Sequence, residues 1–213
     1  MAETVWISTA MADPSNLRPF RHDVVERDRE AFDSGPDRVV TKIKEGYPVS
    51  AAEMATEIFG IASAREKDYR LPDLFHAYGY WVVSSTAADV LRRFDLGSGG
   101  LYPVRVLKND RETPVGGEWF CINFGNRKSG FLSEHSPRFR YDYIRNGQKG
   151  WFPRLPYKDN DFSVTSTLLG GPDVWIDPDV GYAFFLSDAL ASALKKEKVD
   201  KGFFLGKCRV IEA

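Results

Sequence analysis

Gly79-Tyr-Trp-Val-Val-Ser84 is a compact apolar run bounded by glycine and serine, and it reads as a buried strand. A helix follows directly. Ser85 or Thr86 supplies its N-cap, and Ala87, Val90, Leu91 and Phe94 fall at i, i+3, i+4 and i+7 on one helical face. Gly97-Ser-Gly-Gly100 stops the helix, and Leu101-Tyr-Pro-Val-Arg-Val-Leu107 returns as a strand. The same order recurs near the C-terminus. Gly181-Tyr-Ala-Phe-Phe-Leu186 is the strand, Ser187 the cap, and Leu190, Ala193 and Leu194 the apolar helical face. Lys201-Gly-Phe-Phe-Leu205 then opens a terminal strand reaching Ile211. An offset of 102 residues lays Gly79 on Gly181, Tyr80 on Tyr182, Ser85 on Ser187 and Gly100 on Gly202. Two explanations stand: a diverged internal duplication or, more simply, two units meeting the same local demand for glycine at turns and serine at caps. Both give the same class. The chain is α+β, with a mixed, largely antiparallel sheet, packed helices and two similar strand–helix–strand units. Leu91, Phe94, Leu190 and Leu194 are expected in its core.

Working outward, Glu118-Trp-Phe-Cys-Ile-Asn123, Phe162-Ser-Val-Thr-Ser166 and Asp173-Val-Trp-Ile-Asp177 are strand-like, as is Thr4 to Ser8 at the start. Asp23 to Phe32 reads as a short solvated helix. Arg38 to Lys44 alternates Val39, Thr41 and Ile43, the period of a strand. Ser50 and Glu53 have capping-box spacing, and Met54, Ile58 and Ile61 would make the apolar stripe of a helix opening there. The expected organisation is an N-terminal strand and helical segment over residues 1–70, packed on an α+β domain over residues 71–213.

Composition narrows the function. A chain of 213 residues can bury roughly 70% of its unfolded surface, enough for a core without metal or disulfides. Hydrophobic residues at 43% and charged residues at 28% are those of an ordinary globular protein. A net charge of −1 excludes a globally basic nucleic-acid binder and a strongly acidic decoy. Cys121 and Cys208 form no CxxC, so they are expected as reduced, partly buried thiols in strands. The N-terminus lacks the basic and apolar regions of a signal peptide, and no run approaches the ~20 apolar residues of a membrane span. The expected compartment is the cytoplasm, with no membrane partner.

Motifs that carry chemistry are missing. The sequence holds no Gly-x-Ser-x-Gly elbow, Walker loop, His-Glu-x-x-His or clustered Cys/His set. Gly97-Ser-Gly-Gly100 follows a helix and so lacks the helix N-terminus that holds a phosphate. Asp159-Asn-Asp161 begins like a calcium loop, but Val164 stands where the sharp turn needs glycine. Asp177 and Asp179 flank Pro178 as turn residues do. His22, His76 and His135 are scattered, and sequence pairs none of them with a nucleophile. No catalytic residue, metal or cofactor is assigned.

The compositional outlier is Asn126 to Lys158, with eight basic and two acidic residues and seven interleaved aromatics. Three readings fit it. The rings of Phe139, Tyr141 and Tyr143 alternate with charges, as on a strand with one face in the core. Arginine with aromatics also marks protein–protein hot spots. Cations with stacking rings suit single-stranded nucleic acid, the least favoured of the three. As a partner surface, the candidate residues are Arg138, Arg140, Tyr141, Trp151, Phe152 and Arg154.

From Leu71 to Ala213 the chain resembles a family of bacterial immunity proteins of polymorphic toxin systems. Three stretches carry the resemblance. They are Leu71-Pro-Asp-Leu-Phe75 with Trp81-Val-Val-Ser84 and its helix; Tyr102-Pro-Val-Arg-Val106 with Trp119-Phe-Cys-Ile-Asn123; and Phe184-Phe-Leu-Ser-Asp188 with Lys201-Gly-Phe-Phe204. The resemblance implies a non-enzymatic protein that binds and neutralises a cognate toxin, and it offers no catalytic residues. The alternative class is a nucleic-acid-binding protein or a small enzyme with an unrecognised site.

Overall fold

The computed structural model describes residues 4–27, 39–145 and 148–212. In chain order its elements begin with strands β1 (Val5–Ser8) and β2 (Phe20–His22), then helices α1 (Val24–Arg27) and α2 (Val39–Lys44). Next come β3 (Glu57–Gly60), β4 (Leu74–Ala77), β5 (Tyr80–Ser84), α3 (Ser85–Leu91), β6 (Gly100–Leu107) and β7 (Trp119–Asn123). They are followed by β8 (Phe139–Arg145), β9 (Gln148–Pro153), β10 (Phe162–Thr165) and β11 (Val174–Trp175), and the chain closes with β12 (Phe184–Ser187), α4 (Asp188–Lys196) and β13 (Leu205–Ile211). The class is α+β, dominated by mixed, largely antiparallel sheets.

Two sheets carry the fold, in the orders β2-β3-β6-β7-β5-β4 and β10-β13-β1-β12-β11, and β8-β9 forms a separate ribbon. The second sheet reproduces five of the six strands of the first. β4, β5, β7, β6 and β3 correspond to β11, β12, β1, β13 and β10, with every neighbour antiparallel except the outer pairs β3–β6 and β10–β13. Ser84 Oγ accepts from the Ala87 N–H at 3.3 Å, and Ser187 Oγ accepts from the Leu190 N–H at 3.2 Å. Ser84 and Ser187 also donate their own N–H to the carbonyls of Asp73 and Asp173, at 3.0 and 2.9 Å. Even the surface contacts match. Arg92 lies 4.2 Å from the Phe120 ring centroid and Lys195 3.7 Å from the Trp6 ring, at equivalent positions of helix and central strand. Local capping demands do not set strand order or direction, so the two units are an internal structural repeat. The offset between caps is one residue longer than the sequence suggests, because Ser84, not Ser85, caps α3.

The repeat is interlocked. Beyond β1 the chain crosses to lay Leu17 on His76 of β4, and beyond β7 it crosses the other way to lay Arg127 on Ile176 after β11. Arg18 N–H donates to the His76 carbonyl at 3.0 Å, and Lys128 N–H to the Ile176 carbonyl at 3.1 Å. Asn126 fastens the second crossing. Its amide nitrogen donates to the carbonyls of Leu96 and Val174 at 2.8 and 3.0 Å, and Ser98 N–H donates to its side-chain oxygen at 2.9 Å. The N-terminal residues thus supply the central strand of one sheet (β1) and the outer strands of the other (β2 and β3).

The main core lies where α3 and α4 pack on each other and on both sheets, burying Leu91, Leu190 and Leu194 completely. Phe94 sits past the end of α3 and is only half-buried. Leu91→Ala should cost about 2–5 kcal/mol, read as a lower denaturation midpoint at unchanged slope. A second core fills the other face of the five-stranded sheet, where Ile7, Phe162, Phe185 and Cys208 meet Phe139 of the ribbon. Both cysteines are free and fully buried in strands β7 and β13.

Three local expectations change. Residues 39–44 form a helix, not a strand, because Val39 and Ile43 also stand at i and i+4 and both are buried that way. At Ser50 the capping box is real: the Glu53 carboxylate accepts from the Ser50 N–H at 2.7 Å and its hydroxyl at 2.9 Å. It caps a single 3-10 turn, Ala51–Glu53, not a helix. Asp23 then accepts from the N–H groups of Thr56 and Glu57 at 3.1 and 3.3 Å, holding the chain extended as it enters β3. Met54 and Ile58 are buried as expected, on extended backbone. The helix expected from Asp23 is the four residues of α1, and its remainder, from residue 28, lies outside the described residues.

Candidate partner-binding surface

The basic, aromatic stretch forms the β8–β9 ribbon. Arg140 pairs with Phe152 and Tyr141 with Trp151, so each face carries one side chain from each strand. On one face Phe139 reaches the second core, 4.7 Å from the Phe162 ring centroid, and Trp151 lies 6.1 Å from Phe131. Tyr141 stands beyond them, 56% exposed, its ring 5.0 Å from Trp151. On the other face Phe152 is buried against Tyr182 at 5.5 Å, with Arg140 over its ring at 5.8 Å. The ribbon therefore divides the six residues singled out from sequence. Trp151 and Phe152 hold the ribbon to the sheet, while Arg138, Arg140, Tyr141 and Arg154 face solvent. Among the described residues Arg138 and Arg140 make only long ion pairs, to Asp161 at 3.9 Å and Asp142 at 4.0 Å. Exposed pairs of that length contribute little, so both cations stay available to a partner.

The base of the ribbon is tied to the loop that follows β11. Trp151 N–H donates to the Asp179 carbonyl and Gly181 N–H to the Trp151 carbonyl, both at 2.8 Å. The loop is braced by Asp177, whose buried carboxylate accepts from the N–H groups of Gly130, Phe131 and Asp179 at 2.9 to 3.0 Å. Burial pushes its pKa up, and those three donors oppose the shift. A Cβ on Gly181 would lie 2.9 Å from the Phe152 ring, so glycine permits this close approach. Tyr182 follows in the left-handed region, φ 58°, which turns its ring outward, 40% exposed.

That loop is also one wall of a cleft of about 700 Å³ at the junction of the two repeats. Equivalent positions face each other across it: Leu17 and His76 from one crossing, Arg127 and Ile176 from the other. Trp81 lines it too, buried, with an indole N–H that meets no acceptor among the described residues. Tyr47 and Leu17, 43% and 56% exposed, stand at the rim with Tyr182. Arg127 donates to the Glu45 carbonyl and lies over the Tyr47 ring at 4.3 Å. His76 accepts the Gly79 N–H at Nε2, 3.1 Å, which places the proton of its neutral ring on Nδ1. Burial, with the nearby Lys44 ammonium adding to it, lowers its pKa to about 4, so the ring is neutral at physiological pH.

The cleft was not legible in the sequence. Its residues come from five separated segments, and each taken singly reads as turn or core. His135 lies on a 3-10 turn remote from the other two histidines in sequence, and His22 is fully buried beside Tyr80. Among the described residues, no three His, Cys, Asp or Glu side chains gather as a metal site, and no helix is long and apolar enough to cross a membrane. The cleft, walled by apolar and charged side chains, is continuous through Tyr182 and Phe152 with the ribbon that carries Arg140. No curated protein matches the chain. A model of the immunity protein family Imm11 matches residues 14–208, most of its length.

Proposed function

Because the chain belongs to the Imm11 immunity protein family, we propose that it binds a cognate toxin of a polymorphic toxin system in the cytoplasm and neutralises it by occlusion, without catalysis of its own. The observation that carries this reading is the ribbon. Phe139 and Trp151 are held by the second core and Phe152 by Tyr182, so Arg138, Arg140, Tyr141 and Arg154 are presented on a scaffold that loses little entropy on docking. A delivered toxin must be held for long times, so affinity rests on slow dissociation from a few aromatic and arginine anchors. Trp151 and Phe152 contribute by fixing the strands that carry those anchors.

The test is co-purification with the toxin encoded beside this gene. A stable complex in which the toxin loses its activity is the expected result. Absence of any complex, with salt-dependent retardation of single-stranded nucleic acid by the same preparation, would overturn the reading in favour of a nucleic-acid-binding protein.

A further inference from the structure

A cleft lies at the junction of the two repeats. Its volume of about 700 Å³ lies within the range of about 300–1,000 Å³ typical of ligand-holding clefts. Trp81 and Ile176 give it apolar wall beside the charged groups of Asp13, Lys44, Glu45 and Arg127, and the buried indole N–H of Trp81 meets no acceptor among the described residues. Leu17, Tyr47 and Tyr182 expose large apolar surface around the same mouth, where a solvated loop would carry small polar residues. Tyr182 is in ring contact with Phe152, so the mouth opens directly onto the ribbon within the stretch that carries eight basic and two acidic residues.

From this continuity, and resting on the immunity reading above, we infer that the cleft is the second half of the toxin interface: it takes an apolar or aromatic side chain from an extended toxin segment whose flanking residues are acidic and run over Tyr182 onto the ribbon. The two halves divide the work. Apolar burial in the cleft supplies an anchor, and the ribbon's cations meet the carboxylates and set the register. The pattern rejects segments that bring a cation to the ribbon, which is how a specific immunity protein would refuse non-cognate toxins.

The experiment fills the cleft without touching the ribbon. Thr41→Trp, on α2 in the cleft wall, should weaken binding of the neighbouring-gene toxin by about 30-fold or more at an unchanged melting temperature. Should that variant melt early, Leu17→Glu, at an exposed side chain, is expected to do the same by repelling the acidic segment. Peptides tiled along the toxin sequence complete the test: the one that binds wild type but not the filled variant should carry an apolar residue beside acids. Full affinity in both cleft variants, with ribbon variants impaired, would overturn the cleft and leave the immunity reading intact. A captured peptide that is basic would overturn the assigned chemistry. A toxin that binds no form of the chain would overturn both readings.

Discussion

Between about pH 7.5 and pH 5 two histidines should together take about 4 kcal/mol from the free energy of unfolding, roughly half each, less what the raised Asp177 carboxyl returns as it protonates. His22 is fully buried, edge-on to Tyr80 at 4.7 Å, with Nε2 3.3 Å from the Tyr78 carbonyl. Burial lowers its pKa from 6.5 to about 4, outweighing the Tyr78 carbonyl and Asp23, which favour the charged form. His76 is lowered to about 4 by burial and Lys44. In the unfolded chain both return to about 6.5. Above that value neither state holds the protons and stability is complete. As pH falls from there the unfolded state takes up protons that the folded state refuses, and stability drains until the folded pKa is reached. Glu53, whose pKa is lowered by hydrogen bonds from Ser50 and Lys42, loses its contribution only at lower pH, as its carboxylate protonates. Urea titrations at the two pH values check this, and His76→Gln should remove about half of the loss. A stability that stays flat across the interval would contradict the neutral state of both rings.

The second large effect separates binding from folding within the ribbon. Arg140→Ala and Tyr141→Ala truncate exposed side chains, so each should change unfolding by less than about 0.5 kcal/mol. If they are anchors, toxin affinity falls by more than about 2 kcal/mol for the pair, about 30-fold or more, mostly through faster dissociation. Phe152→Ala should behave differently. Its ring is buried against Gly181 and Tyr182, so its removal costs about 3–5 kcal/mol of stability and also frees the loop that walls the cleft. Calorimetric titration of each folded variant with the toxin reads both quantities. Unchanged affinity for the Arg140/Tyr141 pair would place the interface elsewhere.

These expectations show where sequence is informative. β5–α3–β6 and β12–α4–β13 were legible because apolar runs, capping serines and stopping glycines agree at each level. Residues 39–44 were not, since Val39 and Ile43, four apart, satisfy period two and period 3.6 alike. At Ser50 the capping box was read correctly, but a cap specifies only a first turn. Past that turn the hydrogen bonds of Asp23 to Thr56 and Glu57, set by tertiary structure, keep the chain extended. The repeat was visible as an offset and misplaced by one residue, because strand pairing, not the local cap pattern, selects Ser84. In the ribbon, alternation hinted that some rings face inward, yet it could not tell that Phe139 and Phe152 are buried while Tyr141 is not. That depends on the second core and on Tyr182, whose left-handed backbone no pattern announces. The cleft depends on two chain crossings and so belongs wholly to long-range structure.

The central claim, that this chain protects a cell from a toxin by binding it, is tested most directly by survival. Cells expressing a candidate toxin, sought among the products of genes beside this one, should grow when they also make the wild-type chain, and should die when they make a folded Arg140→Ala/Tyr141→Ala/Arg154→Ala chain at the same level. Death with the wild-type chain, or full protection by the triple variant, would contradict the account.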